Sequence, residues 1–93
     1  MKIRIKKFSS GVMYDYYVSD DGRAFKRRRH SNEPLTELKP FIWARRLYVN
    51  AYGRYCLHKL VAKYFVKNEE GLEHVEFVDG NIRNLHYTNL RWV

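Results

Sequence analysis

The sequence predicts an α+β fold in a single domain of 93 residues, built from small antiparallel hairpins, one amphipathic helix and a terminal ββ hairpin. Three observations lead there. Much of the chain alternates polar and apolar residues with a period of two, the signature of half-buried strands. Glycine-bearing turn signals punctuate the alternation. Only one stretch, about 58–66, shifts to a helical period. Eight Tyr, five Phe and two Trp agree with a β-rich chain, because aromatic side chains suit pleated, half-buried surfaces.

Taken in order, "KIRIKKF" alternates with Ile3 and Ile5 on one side and reads as a half-buried strand over about 2–8. "SSG", 9–11, reads as a turn. A strand over about 12–18 follows, with Tyr14, Tyr16 and Val18 on one face. "DDG", 20–22, is a hairpin turn in which Gly22 takes a positive φ. "RAFKRR", 23–28, completes a three-stranded meander. Residues 30–40 hold two prolines among polar residues and read as a loop. A second hairpin spans about 45–51 and 54–57, with Leu47, Val49 and Ala51 on one face and a turn at Gly53. Leu57, Leu60, Val61, Tyr64 and Phe65 then form one face of a helix. Two short strands, about 74–78 and 89–92, close the chain across the turn "DGN", with Leu90 and Trp92 directed to the core.

Eighteen Lys plus Arg against ten Asp plus Glu give a net charge of +8. Such a balance points to a polyanionic partner, nucleic acid first. A single cysteine, Cys56, excludes an internal disulfide and a cysteine-built zinc site, and its alternating apolar surroundings read as a buried thiol. Four dispersed His lack zinc-ligand spacing. No apolar run reaches membrane-spanning length and the N-terminus lacks a signal-peptide block, so a cytoplasmic protein is expected.

"HKLVAKYFVKN" followed by "HVEFVDGNIRNLHYTNLRWV" resembles the HNH, or ββα-metal, pattern of phage and intron homing endonucleases. "YYVSDDGRAFK", 16–26, resembles the module that precedes the nuclease in those proteins, so the likeness covers about residues 14–93. It divides the domain into a basic, β-rich, DNA-contact-like part, 1–44, and an HNH-like part, 45–93. The resemblance implies a metal ligand at Glu76 and the general-base His at Phe77. It places the loop-forming residues at Asp79, Gly80, Asn81 and Asn84, with Leu85 where a second Asn usually stands. Asn89 corresponds to the Asn that braces this loop. The family's last metal ligand lies on a helix beyond the Asn-Leu-Glu-Trp strand, and the chain stops at Val93. The expected motif is therefore degenerate and C-terminally truncated.

The family reaction needs a metal to stabilise charge at the scissile phosphate and a His to take a proton from water. Phe77 has no lone pair to accept that proton. Glu76 alone is a weak metal candidate. The retained Gly and Asn residues are accounted for by tight-turn geometry without any catalysis. Neither His74, directed to the opposite face from Phe77, nor the loop residue His86 is expected to substitute. His58 reads as a packing or capping residue at the helix start.

Cations cluster at Arg23, Lys26, Arg27, Arg28 and Arg29, again at Arg45 and Arg46, and along the helix at Lys59, Lys63 and Lys67. Both faces of the 23–29 strand carry charge toward its end, so that end must project from the sheet. Guanidinium forks and lysine point charges suit phosphate contact. No recognition helix with base-reading residues is apparent, so weak sequence specificity is expected.

Three functions follow as expectations. The first is a catalytically inactive HNH-like phage or mobile-element protein that binds double-stranded DNA. The second is an inhibitor of a host defence complex, restriction or CRISPR-type, acting by protein–protein contact. The third is an active nuclease with an unusual site. No cofactor is expected, and magnesium or manganese enters only with the third.

Overall fold

The computed structural model describes residues 3–93. Its order is β1 (Ile5–Ser10), β2 (Tyr14–Ser19), β3 (Ala24–Arg28), β4 (Thr36–Glu37), β5 (Phe41–Trp43), β6 (Arg46–Asn50), β7 (Arg54–Cys56), α1 (Leu57–Phe65), β8 (Val75–Phe77), a 3₁₀ turn (Tyr87–Asn89) and β9 (Leu90–Trp92). The strands form three antiparallel sheets, β1-β2-β3-β4, β5-β6-β7 and β8-β9. The α+β class read from the sequence is thus the class observed. No helix is long and apolar enough to cross a membrane among the described residues.

Several details differ from the sequence reading, each for a local reason. Lys2, placed in the first strand, lies outside the described residues. Ile3 and Ile5 are 45% and 42% exposed rather than half-buried. The register slips between Lys7 and Ser9, and it is Phe8 that packs on the core. A bulge of this kind re-aims the side chains after it. Ser9 and Ser10 consequently continue β1, and the turn moves on to Gly11–Tyr14, closed by the Gly11 N–H donating to the Tyr14 carbonyl at 2.8 Å. The 30–40 loop contributes β4, which pairs Thr36 with Lys26 and Glu37 with Phe25, so the meander has four strands. The second hairpin gains β5, because Ala44 and Arg45 both take positive φ (51° and 61°) and turn the chain. Arg45 is therefore a turn residue.

The helix begins one residue earlier than expected. Its apolar face buries Leu57, Leu60, Val61 and Phe65. That face meets Val18 and Ala24 from the first sheet, Leu47 and Val49 from the second, and Leu85 and Leu90 from the C-terminal segment. The two ends of the chain are joined by polar contacts as well. The Tyr87 N–H donates to the Asp20 carbonyl at 2.8 Å. Arg4 pairs with Asp20 at 3.1 Å and lies over the rings of Phe65 and Tyr87. Trp92 donates its indole N–H to the Val66 carbonyl at 3.2 Å, fastening β9 to the end of α1.

Candidate functional site

The loop between β8 and β9 is organised by Asp79 and Asn89. The Asp79 N–H donates to Asn89 Oδ1 at 3.1 Å, and Asn89 Nδ2 returns a bond to Asp79 Oδ1 at 2.9 Å. The same Nδ2 donates to the Asn84 carbonyl at 2.9 Å. Asp79 also accepts from the Asn84 side chain and the Asn81 N–H, at 2.9 and 2.8 Å. These donors, Asn84 foremost, hold the Asp79 carboxyl below its ordinary pKa. Gly80, at φ 76°, makes the turn. Asp79, Gly80, Asn81, Asn84 and Asn89 are thus brought together as one loop brace. Asn89 is buried, so Asn89→Ala should lower stability by about 2 kcal/mol through unpaired groups left behind. Urea unfolding of the variant measures it.

Glu76 and Phe77 lie beside this loop and point to opposite faces of β8. Phe77 is half-buried against the core, its ring centroid 4.9 Å from that of His58. His58 is itself buried and its Nδ1 lies 3.1 Å from Cys56 Sγ. Burial, reinforced by the nearby cations Arg46 and Lys59, lowers its pKa to about 4. Packing, with no capping bond, is its structural role. Cys56 is half-buried rather than fully buried, and burial raises its pKa.

Glu76 faces outward and is paired with Arg91, directly opposite it in the β8–β9 register. Arg91 was not among the residues singled out from the sequence. The available signal was its Leu-Arg-Trp, where the resembling family has Leu-Glu-Trp. The donor set does not suit a divalent cation. Phe77 offers no donor, the Glu76 carboxylate is taken by a guanidinium, and the Asp79 oxygens are spent on the loop brace. No cluster of three potential ligands occurs among the described residues. His74 is exposed at the start of the strand pair, exchanging backbone bonds with Val93. His86 bonds Thr88 Oγ1 at 2.8 Å and stacks on Tyr87, which fixes it away from such a role.

The basic residues do not form one uniform patch. Arg23 is engaged by Asp21 at 3.0 Å and by Glu37 at 3.6 Å. Lys26 lies over Tyr14 and Arg27 over Tyr17. Arg29 faces Asp15 at 3.8 Å. Arg28, Arg45, Arg46, Lys59 and Lys63 make no ion pair among the described residues, and all are exposed. Arg45 and Arg46 sit at the end of the β5–β6 hairpin, where Arg54 stacks over Trp43 at 4.7 Å and Tyr48 at 5.5 Å. Lys59 and Lys63 rise from the outer face of α1.

This arrangement has counterparts among known proteins. An uncharacterized HNH endonuclease of Acanthamoeba polyphaga mimivirus is 27% identical over 79 residues, 84% of this chain and 24% of its own length. A structure described as DNA binding and cleavage by the HNH homing endonuclease I-HmuI matches with a TM-score of 0.74 and 28% identity, covering 97% of this chain and 52% of that one. No family model matches. In its fold and in the loop between β8 and β9 the chain is HNH-like. More narrowly, it is similar to proteins of homing-endonuclease type, and it spans about a quarter of the mimivirus protein and about half of the I-HmuI chain.

Proposed function

We propose that this chain binds double-stranded DNA through its exposed cations and does not cut it. One observation carries the reading. At the position of the general base stands Phe77, whose ring turns inward to His58 and offers nothing to a water molecule. The neighbouring Glu76 is paired across the two strands with Arg91. Arg28, Arg45, Arg46, Lys59 and Lys63 supply phosphate contacts that are indifferent to sequence.

A gel shift with random duplex tests the binding. With about five phosphates neutralised, log K should fall against log salt with a slope of about −4 to −5. Absence of any shift at micromolar protein in low salt would remove the proposal. Plasmid nicking in magnesium or manganese tests the second half. Wild type, Glu76→Ala and Phe77→His should all remain at background, because an imidazole at 77 still faces the core and Arg91 still holds Glu76. Robust cutting by Phe77→His would sink that part of the reading.

A second reading, a phage inhibitor of a nucleic-acid-handling host complex, draws on Ile42 and Trp43. They are 48% and 54% exposed on the β5–β6 hairpin, beside the same cations. One stoichiometric host complex retained on the protein after nuclease treatment, with no DNA shift, would favour it.

A further inference from the structure

Three segments far apart in sequence meet at one end of the first sheet. The turn between β1 and β2 carries Val12 and Met13, which are 81% and 56% exposed. The β6–β7 turn lays Tyr52 against the same place. A Cβ added to Gly11 would come 2.7 Å from the Tyr52 ring, so Gly11 is what lets the ring lie so close. Tyr52 is 67% exposed and sits at φ 57°. A bulky residue in the left-handed region is an outlier, and such strain persists where the surrounding structure imposes it. An Asn or Gly would make this turn at less cost, and the ring is not part of the core. The third segment is the end of β3. The Arg29 N–H donates to the Met13 carbonyl at 2.8 Å, and its guanidinium reaches the Gly11 carbonyl at 3.4 Å. Arg29 is partly offset by Asp15, 3.8 Å away, but Arg28 beside it has no acidic partner among the described residues.

The result is a small apolar and aromatic tip flanked by two arginines, of which Arg29 is held in place. Exposed apolar side chains grouped in this way mark a contact surface. The flanking charge selects a polyanion as the occupant. A duplex accepts both features, because phosphates meet the arginines while apolar side chains enter between base pairs and kink the helix.

We propose that Val12 and Met13, supported by Tyr52, form a wedge that inserts at a base step of bound DNA and bends it. The proposal rests on the DNA-binding reading above and adds a deformation that backbone contact alone does not produce.

Ligase-mediated circularisation of duplexes too short to close unaided tests it, with a gel shift run in parallel on the same DNA. The comparison is between the wild-type chain and Val12→Ser/Met13→Ser. Both positions are exposed, so the polar replacements leave the core intact, and circular dichroism checks this. A wedge kinks DNA by roughly 20–90°. Wild type should therefore raise circle yield by about tenfold, since relieving a small part of the elastic cost supplies that factor. The variant should still shift the duplex, yet give only the yield of DNA alone. Wild type that shifts DNA without promoting circles, or a variant that promotes them equally, overturns the wedge and leaves the binding proposal standing. No shift by wild type overturns both.

Discussion

Gly22→Ala is expected to destabilise the protein by about 3 kcal/mol or more, combining overpacking with a forbidden backbone conformation. Gly22 lies at φ 89° in the β2–β3 turn, and a Cβ there would fall 2.1 Å from the Leu85 Cβ and 2.9 Å from the Leu85 carbonyl oxygen. Neither side can yield cheaply. The turn is pinned by the Ser19 N–H donating to the Arg23 carbonyl at 2.9 Å, and Leu85 is buried in the core. For a chain of this size the loss corresponds to a fall in Tm of roughly 12–24 °C. Gly80→Ala is the matched control. Gly80 also has a positive φ, 76°, but nothing lies within 4 Å of its added Cβ. It should cost only about 1 kcal/mol. Equal Tm values for the two variants would show that the Gly22–Leu85 approach is not a structural constraint. The contact matters because Leu85 belongs to the β8–β9 loop and Gly22 to the β2–β3 hairpin. Through it this loop and this hairpin are set against each other.

Acid should unfold the protein by way of His58. Its folded pKa of about 4 lies below the ordinary value of 6.5, because burial, with Arg46 and Lys59 nearby, penalises the imidazolium. Above pH 6.5 the ring is neutral in both folded and unfolded chains and costs nothing. As pH falls from 6.5 toward 4 the unfolded chain takes up a proton that the folded chain refuses. Stability is lost across that window, by about 3 kcal/mol for a difference of this size. His58→Phe keeps an aromatic ring against Phe77 and removes the titration. Denaturant unfolding at pH 7 and pH 4.5 should show the wild-type decline and a much flatter His58→Phe line. Asp15, Asp21 and Asp79, all held below the ordinary carboxylate range, contribute at lower pH and do not obscure the comparison. An unchanged slope in the variant would assign the acid sensitivity elsewhere.

The residues legible in the sequence share a property: their signal is local. The helix was read almost to its boundaries because Leu57, Leu60, Val61 and Phe65 repeat at its period. The Asp20–Gly22 turn and the alternation of Leu47, Val49 and Ala51 were equally plain. At the site, the Asp79–Asn89 loop could be read in the same way, from closely spaced Asp, Gly and Asn residues. Strands β4 and β5 could not. A two-residue strand such as Thr36–Glu37 exists only because Phe25 and Lys26 present an edge to it. The turn before β6 is made by Ala44 and Arg45, residue types that carry no left-handed signature.

Composition and periodicity determined the fold class and the position of α1, since each is a property of neighbouring residues. Tertiary structure alone decided that Glu76 pairs with Arg91, that Phe77 packs on His58, and that Leu85 locks onto Gly22. Those pairs are separated by 15, 19 and 63 positions. Strand register and core packing, which no local pattern encodes, bring them into contact.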